Sequence, residues 1–196
     1  MTATLALFPE LMPSRAPVAP VGLRYEDDVV PPEVQAALVE WAPTLAFTPF
    51  DFRGFKGNRR TVSFGSRYDF THNRVGPADA IPDALMPLRA AAAAFADLPE
   101  TALVQALVTE YAPGAGIGWH RDRPEYGQVV GLSFVSECLL RFRQRADGGW
   151  ARVAQSLRPG SAYLLDGPAR DAWQHSITPG EALRYSVTFR TLRKSW

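Results

Sequence analysis

The sequence predicts an α+β domain that is mainly β, and three observations carry that prediction. Helical periodicity is confined to the first half of the chain. From Leu103 onward short apolar stretches alternate with Gly, Pro and Asp turns. No internal repeat, linker or low-complexity stretch divides the 196 residues, a length that suits one domain with a full-sized core. Helices first and a run of strands after them fit a double-stranded β-helix (a jelly roll) with helical support on one side.

Taken in order, residues 1–20 carry Pro9, Pro13, Pro17 and Pro20 and read as an extended N-terminal arm, leaving residues 21–196 as the single domain. Pro32 to Trp41 reads as a short helix, with proline in its first turn and Val34, Ala37, Leu38 and Trp41 at helical spacing. Residues 60–65 alternate like a strand. Residues 82–98 form the second helix: a proline start, Leu85 and Leu88, an alanine run and Phe95. Strands follow at 103–111, 129–136, 138–144, 150–157, 161–165, 173–177 and 184–192, with Asp147-Gly148-Gly149 as a hairpin turn.

Hydrophobic content of 46% with 21% charged residues places the chain among soluble globular proteins. No apolar run is long enough to span a bilayer, and the N-terminus lacks the basic stretch and cleavage site of a signal peptide. The single cysteine, Cys138, cannot form an internal disulfide and reads as a small apolar residue packed in a strand. A cytoplasmic monomer with no membrane partner is the expectation.

The net charge of +1 hides a local asymmetry. Between Asp51 and Arg74 six basic residues, Arg59 and Arg60 among them, face two acids, and Phe55 and Tyr68 lie in the same stretch. Basic groups neutralise phosphates and aromatic rings stack on exposed bases. A solvated basic face over ordinary core aromatics is the other reading of this stretch.

The residues that carry chemistry lie further on. Trp119-His120-Arg121-Asp122 is followed 55 residues after its histidine by His175. Two imidazoles and a carboxylate are the ligands of a facial triad that holds Fe(II) and leaves three positions open. If His120 and Asp122 share a strand, the i, i+2 spacing points both to one face. Arg184 and Arg190, six residues apart on the last strand, also share a face. An arginine fork matches the remote carboxylate of a 2-oxoacid such as 2-oxoglutarate. His72 sits in a polar loop and is expected outside the metal shell.

In order, Tyr111-Ala112-Pro113-Gly114, His120-Arg121-Asp122, His175 and Arg184-Tyr185-Ser186-Val187-Thr188-Phe189-Arg190 resemble the motifs of the AlkB family of Fe(II)- and 2-oxoglutarate-dependent dioxygenases, over roughly residues 105–193. Ser186 within the arginine motif is shared with the AlkB domain of the tRNA wobble-uridine hydroxylases. The resemblance implies Fe(II) on His120, Asp122 and His175, and O2 as co-reactant. It further implies 2-oxoglutarate on Arg184, Arg190 and Tyr111, with Thr109 and Ser186 alongside. It also implies a substrate-binding lid over residues 51–76 and nucleic acid, single-stranded or with a flipped base, as partner. Trp119, Glu125, Arg59, Arg60, Tyr68 and Phe55 are the candidates to touch it. The expected activity is oxidative demethylation of alkylated bases, as in DNA or RNA repair, or RNA hydroxylation. Three departures weigh on the substrate more than on the cosubstrate: Thr109 and Ser186 stand where the family usually has Asn, and Pro124 where repair-type members have an acid. The same chemistry on a protein or small molecule stays open. So does a metal-dependent hydrolase or a non-catalytic zinc site, neither of which needs the arginine pair.

Overall fold

The computed structural model describes residues 19–52, 55–69, 72 and 74–193, with backbone alone for 50–52, 55–57, 67 and 74. Most of the N-terminal arm and the side chain of Phe55 therefore lie outside the described residues. In chain order the elements are β1 (Leu23–Glu26), α1 (Pro32–Trp41), β2 (Thr48–Phe52), β3 (Phe55–Phe64), β4 (Ser66–Asp69), β5 (Arg74–Pro77), α2 (Met86–Ala96), β6 (Gln105–Tyr111), β7 (Ile117–His120), β8 (Tyr126–Phe134), β9 (Cys138–Ala146), β10 (Gly149–Leu157), β11 (Ala162–Leu165), α3 (Gly167–Asp171), β12 (Gln174–Ile177) and β13 (Arg184–Leu192).

Two antiparallel sheets carry the fold. The larger runs β1-β11-β8-β13-β6-β3-β2 and the smaller β10-β9-β12-β7, while β4 and β5 form a separate hairpin. This is the double-stranded β-helix that the order of elements predicts, with α1 and α2 on one side. Alternation explains the layering. One face of the large sheet presents Val108, Leu132, Val187 and Phe189, all fully buried, against Leu38 of α1 and Leu88 and Ala92 of α2. Each large side chain taken from water there contributes roughly 1.5–3 kcal/mol. A second cluster, with Val129 and Leu165 from the large sheet and Leu140, Phe142 and Ile177 from the small one, closes the space between the sheets at one end. Cys138 is buried in it, as its apolar surroundings predict.

The second helix is shorter than its periodicity predicts. A 3-10 turn at Asp83–Leu85 precedes it, and α2 begins at Met86 with Pro87 in its first turn, where the missing N–H costs nothing. It ends at Asp97, whose left-handed backbone (φ 54°) lets its N–H reach the carbonyls of Ala93 and Ala94.

The other face of the large sheet is polar. Register aligns its side chains in rows across the strands. Arg59, Tyr111 and Arg184 form one, Thr61, Thr109, Ser186 and Ser133 the next, and Leu107, Thr188, Gly131 and Tyr163 a third. A fourth joins Gln105, Arg190 and Val129. A register slip of one residue would turn every one of these into the helix-packed core. Gly131 is required here, since a Cβ on it would lie 2.2 Å from the Tyr163 ring.

Candidate active site

The polar rows face a cavity of about 1610 Å³ whose other wall is β7, β9 and β12 of the small sheet. Of the residues that the sequence singles out, His120, Asp122, His175, Arg184, Arg190, Tyr111, Thr109, Ser186, Trp119, Arg59 and Tyr68 all line it. Arg60 and Glu125 do not. Neighbouring positions on β3 point to opposite faces, so Arg59 enters the cavity while Arg60 ion-pairs with Glu110 at 2.6 Å and lies over the Phe47 ring on the other face. Glu125 is partly buried, with Oε2 directed away from solvent and lacking a hydrogen-bond partner.

β7 and β12 pair with His120 directly opposite His175, which brings the two rings to a centroid separation of 4.2 Å. The strand expected to carry both His120 and Asp122 stops at His120, and Asp122 stands in the following loop. That loop is held from below. Arg170 of α3, almost fully buried, donates to the carbonyl oxygens of Arg123, Tyr126 and Gly127. The Asp122 carboxylate is so placed that Oδ2 lies 3.7 Å from His175 Nε2 and Oδ1 accepts from Arg190 Nη2 at 3.0 Å. Measured on donor atoms alone, no trio of His, Cys, Asp or Glu side chains among the described residues is closed to coordination distance. His72 lies apart, exposed and paired with Asp69 at 2.7 Å.

Electrostatics puts these donors in the form a cation needs. Burial pushes the His175 imidazole down to about 3, helped by nearby His120 against the pull of Asp122. His120 is lowered for the same first reason, burial. Burial alone would raise Asp122, but Arg190 beside it, with His175 and His120, holds it well below the usual carboxylate range. The set at neutral pH is therefore two neutral imidazoles and one carboxylate. The Gly118 carbonyl accepts from His120 Nδ1 at 2.9 Å, which assigns the tautomer with Nε2 open to a metal. This donor chemistry fits a divalent transition metal.

The arginine rows fit a dicarboxylate. Arg184 is buried, lies over the Tyr111 ring at 4.7 Å and donates through Nε to Ser133 Oγ at 3.2 Å, while its Nη1 has no protein partner. A buried donor without a partner is costly, and a ligand carboxylate would satisfy it. Arg190 donates through Nη1 to Gln105 Oε1 at 2.9 Å, so its fork joins the large sheet to Asp122. Gln105, Ser133, Tyr163 and Arg170 escape sequence reasoning, because what marks each of them is a partner on another strand. Burial raises the Tyr163 hydroxyl, so it is a neutral donor in the wall between the two arginines.

A jelly roll with His, Asp and His on one wall and a buried arginine aimed into the same cavity defines an oxygenase-type site, and comparison with known proteins agrees. The model of the 2OG-Fe(II) oxygenase superfamily matches residues 17–190. The chain belongs to this superfamily, whose members are oxidoreductases that use Fe(II), 2-oxoglutarate and O2. An uncharacterized protein (L905) of Acanthamoeba polyphaga mimivirus is 32% identical over 103 residues, 46% of this chain and 49% of the viral protein. The chain thus spans about half the length of that relative. Among solved structures, OsALKBH1 superposes with TM-score 0.69 at 17% identity, covering 89% of this chain and 98% of that one. A Pseudomonas putida prolyl-4-hydroxylase superposes with TM-score 0.58 at 16% identity, covering 88% and 93%. At these identities the likeness is one of fold. Among the described residues no helix is long and apolar enough to cross a membrane.

Proposed function

We propose that this chain oxidises a base of a nucleic acid, with His120, Asp122 and His175 holding Fe(II) and Arg184 binding the remote carboxylate of 2-oxoglutarate. Fe(II) with 2-oxoglutarate supplies the means to activate O2 for insertion at a C–H bond. The protein does the rest. His120 and His175 enter as neutral donors, and Arg190 keeps Asp122 ionised and aimed between them. Arg184 orients the cosubstrate, with Ser133 fixing its Nε and Tyr111 backing its plane. The neutral Tyr163 hydroxyl lies in the wall between the arginines, where it can donate a hydrogen bond without adding charge.

The observation that carries the substrate class is the make-up of the cavity lining. Arg59, Arg121, Arg123 and Arg141 line it together with Tyr68 and Trp119. The cavity exceeds the roughly 300–1,000 Å³ typical of small-molecule sites, leaving space for a large second substrate. Cationic forks neutralise phosphates and aromatic faces stack on a flipped or unpaired base. Arg123 already lies over the Tyr68 ring at 3.8 Å, which ties the β4–β5 hairpin to the loop after Asp122. We assign the lid role to β3 and this hairpin. If the oxidised carbon is an N-methyl group, the hydroxylated product loses formaldehyde and the base is restored.

The test is a mass measurement. The protein is incubated with Fe(II), 2-oxoglutarate and air against a panel of methylated DNA and RNA oligomers, with methylated and proline-rich peptides in parallel. Loss of methyl mass or gain of oxygen in an oligomer, with succinate formed in step, is expected. Modification of peptides alone would move the assignment to a protein oxygenase.

A further inference from the structure

The outward face of the small sheet carries a ladder of arginine and tryptophan that runs on from the cavity, beyond Arg141 and Trp119, to residues that do not line it. On β9, Arg141, Arg143 and Arg145 occupy alternate positions and share one face. Register places Arg152 of β10 directly opposite Arg143, and Trp150 opposite Arg145. Trp119 of β7 reaches across β12 to the same row. Arg141 lies 5.0 Å and Arg143 4.5 Å from its ring centroid. Arg143 and Arg145 lie over Trp150 at 4.3 and 4.5 Å.

Two features mark the ladder as a binding surface. First, its charge is uncompensated. Arg141 and Arg143 are fixed by neutral partners, Ser176 Oγ at 3.1 Å and Gln174 Oε1 at 2.7 Å. Among the described residues none of the four arginines forms an ion pair. The flanking acids stay outside it: Glu137 accepts from Ser156, and Asp147 sits at the exposed hairpin turn. Like charges directly opposite on neighbouring strands, as at Arg143 and Arg152, are destabilising. This occurs in a chain whose total charge is only +1. Second, the ladder is continuous with the cavity, because Trp119 and Arg141 also line it.

We propose that this ladder is a track for a single-stranded polynucleotide, carrying the strand away from the base that enters the cavity. Guanidinium forks alternating with aromatic planes present what such a strand needs, charge for each phosphate and a flat face for each base. An acidic protein would use the charges alone and gain nothing from the aromatic planes. The proposal rests on the nucleic-acid reading of the cavity, and it concerns a separate surface that can be tested apart from it.

The experiment is fluorescence anisotropy of the full chain with a labelled single strand of about 20 nucleotides, longer than one site of this kind, across a salt series. Arg145 and Arg152 are exposed, so R145E/R152E folds as the wild type does, which a thermal melt verifies. The double variant should bind at least about tenfold more weakly at low salt, with a log–log salt slope lower by about 1.4, that is, about 0.7 for each lost phosphate contact. Trp150→Ala should weaken binding roughly tenfold through lost stacking, and should change little on an abasic strand of equal charge. R59Q reports on the cavity independently. Weak binding by R59Q with wild-type binding by R145E/R152E would overturn the track and leave the cavity reading standing. No binding of any strand by the wild type would overturn both. Equal competition by polyglutamate of the same charge would overturn the track in favour of an acidic protein partner.

Discussion

Arg190 ties the large sheet to the loop after β7, giving one amino group to Gln105 Oε1 at 2.9 Å and the other to Asp122 Oδ1 at 3.0 Å. Its side chain and that of Asp122 are only 10% and 11% exposed, so the pair acts in a poorly solvated setting. Removing one partner of such a pair leaves the other buried and uncompensated, at a cost of about 3–5 kcal/mol. Arg190→Met should therefore destabilise the metal-free protein by that order in chemical denaturation. Mn(II) should recover part of the loss, because a cation replaces the missing positive charge. A variant as stable as the wild type would contradict the assignment of Arg190 as the group that keeps Asp122 ionised.

Arg184→Ala tests the cosubstrate side alone. Truncating one member of a buried charge pair should weaken 2-oxoglutarate binding by about 2–5 kcal/mol in calorimetry. Mn(II) affinity should hardly change, since Arg184 donates to Ser133 and faces Tyr111 without contacting the histidines. Undiminished 2-oxoglutarate affinity would show that another residue takes the remote carboxylate.

The buried imidazoles set a pH dependence with a definite sign. His175 is held neutral down to about 3, chiefly by burial, whereas an unfolded histidine titrates near 6.5. Between those values the unfolded chain binds more protons than the folded one, so stability falls as pH drops. His120, also lowered by burial, adds in the same direction. Asp122, which burial would raise and Arg190 chiefly holds low, adds its own loss from the ordinary carboxylate range downward. Metal-free protein should thus show a falling denaturation midpoint from about pH 6.5 downward, with a shallower fall in His175→Leu. A flat profile in the wild type would argue against buried neutral histidines.

Arg59 and Arg60 should behave oppositely despite being neighbours. R59Q should weaken oligonucleotide binding and lower the log–log salt slope by about 0.7 for single strands. R60Q should leave both alone and cost at most about 1 kcal/mol of stability, because its half-exposed guanidinium serves Glu110 on the other face. Equal effects on strand binding would place both on one surface and contradict the strand parity observed.

Much of this was legible in the chain where periodicity was strong. Pro32–Trp41 and Arg184–Leu192 fall on their predicted bounds, since each has apolar residues at the full period of its element. β1, β2, β4 and β5 escape that reading, and the strand expected at His120 ends there, before Arg121. Those four span only four or five residues, too short for a period to show, and β2 and β5 also carry Pro49, Gly76 or Pro77 where an apolar alternation would be read. The metal donors were legible as residue types at a telling spacing. That His120 and His175 are direct cross-strand partners follows only from pairing. Gln105 and Ser133 are visible only as register mates of Arg190 and Ser186, and Arg170 only through the three carbonyls it gathers. Asp122 lies beyond the strand end, and Arg190 and the loop held by Arg170 do the positioning that strand alternation was expected to do.

A crystal structure grown anaerobically with Mn(II) and 2-oxoglutarate tests the central claim most directly, namely that one cavity seats the metal and the cosubstrate on these residues. The account predicts one metal about 2.0–2.2 Å from a nitrogen of His120, an oxygen of Asp122 and a nitrogen of His175, with the remote carboxylate on Arg184 Nη1. A metal bound by His72 in place of His175, or a carboxylate seated away from Arg184, would contradict it.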